Sequence, residues 1–281
     1  MNAVGSALNI AFIGGGNMAS ALIAGLAGKL TAAANIHVID PNAGALEKLR
    51  SQYGVGTAAS VDSGLAACDV IVLAVKPQSM REAAAQLLPV LKNGALPLIV
   101  SIAAGIRGAD LSRWLGGYPA IVRCMPNTPA LIGLGITGMV VTGAVSKQQK
   151  AVADAIMQAV GSTVWLEDEA LIDSVTAVSG SGPAYVFYFM EAMQDAAAEL
   201  GLTAEQGRQL ALATFAGAAQ LALASDDPVS LLRERVTSKN GTTHAALMSM
   251  EQSGIKDAIK TAVKAAAARG KEMGEELGRV S

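Results

Sequence analysis

The sequence contains few aromatic residues and no excess of positive charge. Aromatic residues make up 4% of its 281 residues, and 21 lysines and arginines stand against 23 aspartates and glutamates. The chain therefore has few aromatic side chains for base stacking and no basic excess for counterion release. These are two main sources of nucleic-acid affinity. We expect no nucleic-acid partner.

Cysteine and histidine are equally scarce. Cys68 and Cys124 are the only cysteines, and His37 and His244 are the only histidines. A disulfide-rich secreted scaffold needs more cysteines, and a structural zinc site would need partners that the two histidines cannot easily supply. We interpret both cysteines as interior thiols of a reducing compartment and predict no bound metal.

The sequence also lacks the features of a membrane or export segment. No basic residue precedes Lys29, whereas a signal peptide begins with a cationic region. The longest later uncharged run, 124–146, contains prolines and glycines that suit strands and turns better than a membrane helix. We predict a cytoplasmic protein without a membrane partner.

The first half of the chain alternates short apolar runs with helical stretches. A run such as 70–75, which has no polar residue, is typical of a strand buried on both faces of a parallel sheet. The predicted strands are 8–13, 36–39, 70–75, 98–102, 120–123, 138–141 and 163–166. Strands alternating with helices, such as 19–26 and 45–52, predict an α/β doubly wound sheet over residues 1–166.

The second half consists of helix formers. Alanine, leucine, methionine, glutamate and glutamine dominate from Ala170 to Leu277, with breaks at 201–203, 226–228 and 253–254. We predict an all-helical domain over residues 167–281. Because stretches such as 210–223 are apolar on more than one side, we expect this domain to pack against a second copy of the chain.

A dinucleotide fingerprint occupies the junction of the first strand and helix. Gly14, Gly16 and Ala19 fit the pattern G-x-G-x-x-A, in which the glycines permit a tight turn and close approach of a pyrophosphate. The N-terminus of the following helix offers free N–H groups to the phosphates. We therefore predict a bound NAD or NADP.

Asp40 ends the second predicted strand, where an acidic residue can accept a hydrogen bond from a ribose 2′-hydroxyl. It would repel a 2′-phosphate, although Asn42 could still serve a phosphate if Asp40 turned away. An Asx turn or helix cap around Asp40 and Asn42 is an equally good interpretation. The choice between NADH and NADPH stays open.

Six blocks, in the same order along the chain, resemble those of the pyrroline-5-carboxylate reductase family. They are FIGGGNMA (12–19), AVKP (74–77), SIAAG (101–105), RCMPNTP (123–129), SGSGPAY (179–185) and VTSKNGTT (236–243). The first block is common among dehydrogenases, and the last three are specific. The resemblance implies a Rossmann-type sheet followed by an all-helical dimerisation domain, in a homodimer that could assemble further into a decamer. It also implies reduction of Δ1-pyrroline-5-carboxylate to L-proline by hydride transfer from NAD(P)H, the last step of proline biosynthesis.

The resemblance also assigns residues to ligands. The implied cofactor contacts are Ile13, Gly14, Gly15, Gly16, Asn17, Met18, Ala74, Val75, Lys76, Pro77, Ile102, Ala103, Ala104 and Glu169, to which Asp40 and Asn42 are added from the fingerprint. The implied substrate contacts are Ser238, Gly241, Thr242 and Thr243.

The chemistry of the 238–243 segment agrees with that assignment. A turn followed by a helix presents free N–H groups and hydroxyls that suit a small carboxylate, although an ordinary Ser/Thr helix cap has the same sequence. Thr243 is our hypothesis for the catalytic group that hydrogen-bonds the ring nitrogen. The family's usual glycine is replaced by Asn240, the residue other than glycine that best tolerates a positive φ.

Two other functions share this architecture. A β-hydroxyacid-type dehydrogenase carries a catalytic lysine on the helix after a glycine-rich block, but the stretch 184–200 contains no lysine. A non-catalytic dinucleotide-binding sensor would have lost its substrate residues, yet Ser238 and Thr243 are both present.

Overall fold

The structure is a computed structural model that describes residues 8–92 and 96–279. The chain divides into two compact units, one of Met1–Ser181 with Ala266–Ser281 and the other of Gly182–Ala265. The first unit contains the sheet, and the second is helical. Each unit is described below by itself.

An eight-stranded sheet forms the centre of the first unit, in the order β3-β2-β1-β4-β5-β6-β7-β8. Its strands are β1 (Ile10–Ile13), β2 (Ile36–Ile39), β3 (Gly56–Ala58), β4 (Val70–Leu73), β5 (Leu98–Ser101), β6 (Ile121–Met125), β7 (Gly135–Val141) and β8 (Gly161–Trp165). Strands β1 to β6 are parallel, β7 runs antiparallel to β6, and β8 runs parallel to β7. The predicted doubly wound α/β sheet is confirmed, and the strand order reverses between β1 and β4.

Helices cover both faces of this sheet. They are α1 (Asn17–Leu26), α2 (Ala43–Tyr53), α3 (Met80–Lys92), α4 (Gly108–Trp114), α5 (Lys147–Gln158) and α6 (Leu171–Val175), the last followed by a π-helical turn at Thr176–Gly180. Alternate strand residues point to opposite faces, so Phe12 joins a core with Leu22 of α1 while Ile71 joins one with Leu87 of α3. This double coverage explains why the central strands β1 and β4 are apolar throughout.

The helical unit contains α7 (Gly182–Glu199), α8 (Ala204–Leu223), α9 (Val229–Arg235), α10 (Thr242–Gln252) and the first part of α11 (Ile255–Arg279). The three predicted helix breaks at 201–203, 226–228 and 253–254 all lie between these helices. Thr203 begins α8 with a reciprocal capping box to Gln206, which fixes the start of the longest helix lying wholly within this unit.

The compact units divide at a different position from the predicted boundary at 166/167, which marks the end of the sheet. Helix α6 stays with the sheet because Val175 packs closely on Gly138 of β7, where an added Cβ would lie 2.6 Å from Val175 Cγ1. The end of α11 also returns to the sheet unit, because Leu277 lies against Gly105. The functional domains 1–166 and 167–281 stay a prediction.

Large apolar side chains on α7 and α8 are exposed. On α7, Phe187 is 64% exposed and Tyr188 is 74% exposed, and on α8 Leu210 and Leu221 are also exposed. A single chain therefore leaves much of this unit's apolar surface uncovered. Within residues 8–92 and 96–279, no helix is both long enough and apolar enough to span a membrane.

Candidate functional site

The glycine turn after β1 is shaped by close backbone approach. Gly14 has a φ of +102°, and a Cβ added there would lie 2.7 Å from the carbonyl oxygen of Ala74. Only glycine combines that φ with that contact. A Cβ added to Gly16, by contrast, meets nothing within 4 Å. The turn is therefore tight against the protein at Gly14 and open at Gly16.

Protein groups already bind two of the turn's N–H groups. The N–H of Gly14 donates to Ile39 O at 2.8 Å, and the N–H of Gly15 donates to Asp40 Oδ2 at 2.7 Å. Gly16 is the N-cap of α1, and no side chain caps that helix. The N–H groups of its first turn thus remain for an anion, beside open space and at the point where the strand order reverses. These residues fit the pyrophosphate of a dinucleotide.

Asp40 and Asn42 form the turn that follows β2. Asp40 Oδ1 accepts the N–H of Asn42 at 2.8 Å, which is an Asx turn, and Asn42 Oδ1 accepts the N–H of Ala45 at 3.1 Å, which caps α2. The structure therefore contains the turn and cap that were one of the two interpretations of these residues. Contact of Asp40 or Asn42 with a cofactor stays a prediction.

The next two predicted cofactor segments follow neighbouring strands at the same edge of the sheet. The N–H of Ala74 donates to Ile13 O at 2.8 Å, and the N–H of Ile102 donates to Leu73 O at 3.1 Å. Lys76 is exposed, and Pro77 begins a short 3-10 turn. The structure thus brings 13–18, 74–77 and 102–104 to adjacent strand ends, where ligands of open α/β sheets bind.

Glu169 lies in an ion pair that the sequence did not predict. Its Oε1 accepts hydrogen bonds from Arg123 Nη1 at 2.9 Å and from the N–H of Gly108 at 2.7 Å. Arg123 is 4% exposed and Glu169 is 29% exposed. Arg123 Nε and Ser101 Oγ, both buried, have no hydrogen-bond partner within the described ranges. Arg123 belongs to the RCMPNTP block, and this was the one feature of the sequence that marked Arg123 as a residue of the site.

The small residues 179–180 end the π-helical turn, and the small residues 181–182 follow it. A Cβ added to Gly180 would lie 2.7 Å from Met125 Cε, at the end of β6. This block is therefore closely packed against the end of the sheet.

In the helical unit, the 238–241 turn leads directly into α10. The N–H of Gly241 donates to Ser238 O at 3.0 Å, and Asn240 has a φ of 61°, as its substitution for glycine predicts. Gly241 is the N-cap and no side chain caps the helix, so the alternative of a Ser/Thr cap is wrong. Thr242 and Thr243 are already inside α10, because the turn places glycine at the cap position. The first-turn N–H groups of α10 are therefore not capped by a side chain.

Both cysteines are buried and free. Burial, and to a smaller extent the nearby carboxylates of Asp69 and Asp62, raise the pKa of Cys68 to about 11. Burial likewise raises the pKa of Cys124 well above its usual value. Because the thiolate is the reactive form, neither residue is suited to nucleophilic chemistry.

Comparison with known proteins gives consistent matches over both units. A family model for pyrroline-5-carboxylate reductase dimerisation matches residues 169–273, and one for coenzyme F420-dependent NADP oxidoreductases matches residues 9–105. The pyrroline-5-carboxylate reductase of Pseudomonas aeruginosa is 49% identical over 247 residues, covering 88% of this chain and 90% of that protein.

Solved structures agree with this. The pyrroline-5-carboxylate reductase of Coxiella burnetii superposes with a TM-score of 0.90 at 39% identity, covering 95% of this chain and 98% of that one. The Plasmodium falciparum pyrroline carboxylate reductase, solved with NADP bound, gives a TM-score of 0.83 at 31% identity, covering 96% and 99%. The chain therefore belongs to the pyrroline-5-carboxylate reductase family of NAD(P)H-dependent oxidoreductases.

Proposed function

We propose that this protein reduces Δ1-pyrroline-5-carboxylate to L-proline with hydride from NAD(P)H, as the last step of proline biosynthesis in the cytoplasm. The observation that carries this proposal is the 49% identity to a pyrroline-5-carboxylate reductase across 88% of the chain. The open glycine turn at Gly16 and the uncapped start of α10 supply the two anion-binding elements that the reaction needs.

The cofactor is held, on this proposal, along three neighbouring strand ends. The N–H groups at the start of α1 bind the pyrophosphate, while 74–77 and 102–104 line the path toward the nicotinamide. Glu169 is fixed by Arg123 and Gly108, so its carboxylate keeps one position as the cofactor enters. A reduced nicotinamide, when bound, supplies the hydride.

The substrate is held by the 238–243 segment. The N–H groups of the first turn of α10 and the hydroxyls of Ser238 and Thr242 bind its carboxylate, which the helix N-terminus favours electrostatically. Thr243 hydrogen-bonds the ring nitrogen. Because a protonated imine is already electrophilic at carbon, these residues act mainly by orienting that carbon. The scarcity of histidine is compatible with this mechanism.

The direct test is a spectrophotometric assay with pyrroline-5-carboxylate and each reduced nicotinamide. We expect cofactor oxidation with stoichiometric formation of proline, and no cofactor reduction when a 3-hydroxy acid is offered with the oxidised cofactor. Turnover of the 3-hydroxy acid would instead indicate a β-hydroxyacid dehydrogenase. Binding without turnover of any substrate would indicate a sensor.

Replacing Thr243 with alanine should lower kcat by about tenfold, because one hydrogen bond to the reacting ring is worth about 1.4 kcal/mol. Thr243→Ser keeps the hydroxyl and should retain most of the activity. Thr261→Ala is the matched control, since its hydroxyl donates to Asp257 O within α11. Equal kcat values for Thr243→Ala and the unaltered enzyme would remove Thr243 from the mechanism.

The exposed apolar side chains of α7 and α8 support a homodimer, with a decamer as the larger assembly we propose. Light scattering coupled to gel filtration should give at least twice the chain mass of 28.4 kDa. Tyr188→Lys, which places charge on the exposed face, should shift the protein toward smaller species. A stable monomer of the unaltered chain at micromolar concentration would contradict the assembly.

A further inference from the structure

We propose that Asp40 makes this protein prefer NADH to NADPH. The inference rests on the proposed function and deepens it, since family membership leaves the two cofactors open. It is argued from the hydrogen bonds of the β2–α2 turn and from the charges around that turn.

The Asp40 carboxylate is held in place by two backbone donors. Gly15 N–H donates to Oδ2 at 2.7 Å, and Asn42 N–H donates to Oδ1 at 2.8 Å. Turning the side chain away would break both bonds and leave Gly15, in the cofactor-binding turn itself, without its acceptor. The negative charge therefore stays between the glycine turn and the start of α2.

A carboxylate fixed in this way can contact a ribose but not a phosphate. Its two oxygens offer about four lone-pair positions, of which the backbone occupies two. The remaining positions can accept a hydrogen bond from a ribose 2′-hydroxyl, as acidic residues at this point of the fold do. A 2′-phosphate brings no such donor and is repelled by the charge.

The turn offers little to compensate for that repulsion. Residues 41–46 contain no basic side chain, and the N–H of Ala45 in the first turn of α2 is occupied by the Asn42 side chain. Arg50, further along α2, pairs with Glu47. His37 of β2 contacts Asp62, a second carboxylate, at 3.1 Å.

Two lysine side chains, on α2 and after β4, lie outside this turn. Lys48 is exposed and is the sixth residue of α2, and Lys76 follows β4, on the opposite side of β1 from β2. Neither lies in the β2–α2 turn. The geometry of this turn therefore disfavours a 2′-phosphate and accommodates a free 2′-hydroxyl.

The test compares both reduced cofactors by binding and by turnover. Dissociation constants come from nicotinamide fluorescence titration, and kcat/KM comes from the pyrroline-5-carboxylate assay. We expect NADH to exceed NADPH by at least about tenfold in both affinity and kcat/KM. Asp40→Asn, which removes the charge but keeps the shape, should reduce that ratio by at least about fivefold, mainly by improving NADPH.

Glu205→Gln is the matched control, because it removes one exposed carboxylate from α8, outside the β2–α2 turn, and should leave the ratio unchanged. A ratio of one or below for the unaltered protein overturns the inference, and that measurement needs no variant to fold. A tenfold ratio that persists in Asp40→Asn also overturns it, because the preference then has another origin. If neither cofactor is oxidised with pyrroline-5-carboxylate but NADH still binds more tightly, the proposed function fails while this inference stands.

Discussion

Replacing Gly14 with alanine is expected to reduce the affinity for NAD(P)H by at least about 100-fold and to lower the free energy of unfolding by about 2 to 3 kcal/mol. The φ of +102° is unfavourable for any residue with a Cβ, and that Cβ would lie 2.7 Å from Ala74 O. Because the opposing atom belongs to the backbone, the turn and the 74–77 segment must move apart. Fluorescence titration and urea denaturation measure the two effects.

The variant Gly16→Ala, in the same turn, distinguishes an effect on cofactor affinity from an effect on folding stability. Its φ is −72°, and its added Cβ would point into open space, so the free energy of unfolding should change by less than about 0.5 kcal/mol. Affinity for the cofactor should still fall, since the methyl group occupies the space that the pyrophosphate needs. Wild-type affinity in both variants would show that the dinucleotide binds elsewhere.

Replacing Glu169 with glutamine should destabilise the protein by about 2 to 3 kcal/mol, because it leaves the positive charge of Arg123 buried without a counter-charge. The partial exposure of Glu169 keeps this loss below that of a fully buried pair, since water can approach the unpaired guanidinium. The free energy of unfolding from urea denaturation, without cofactor, is the measurement.

Glu167→Gln provides the control, because Glu167 is exposed two residues away on the same segment. Its free energy of unfolding should stay within about 0.5 kcal/mol of the unaltered protein. If Glu169→Gln were equally stable but bound NAD(P)H more weakly, Glu169 would act on the cofactor alone, and the structural role of its pair with Arg123 would be refuted.

The sheet was largely predictable because most of its strands are buried on both faces. Strand β2 has the predicted bounds, Ile36–Ile39, and β4 begins at the predicted residue. The prediction missed β3, Gly56–Ala58, which lies at the edge of the sheet and is neither long nor apolar. Such a strand forms because β2 offers it backbone partners, and this contribution comes from tertiary structure.

Local geometry in the site was also predictable where one residue type is required. The glycines after β1 and the positive φ of Asn240 follow from steric rules that act within a few residues. The pair of Arg123 and Glu169 joins residues 46 positions apart, and no periodicity in the sequence reports it. The hydrogen bond from the N–H of Gly15 to the Asp40 carboxylate likewise depends on β1 and β2 lying side by side.

The hydrogen bonds that Ile39 and Asp40 accept from the glycine turn also affect the entropy of cofactor binding. Both acceptors belong to the chain itself, so the backbone loses its conformational freedom there during folding. Little further ordering is then needed when the dinucleotide arrives, and more of the contact energy appears as affinity. Changes that loosen β2 should consequently weaken cofactor binding even where they touch no ligand.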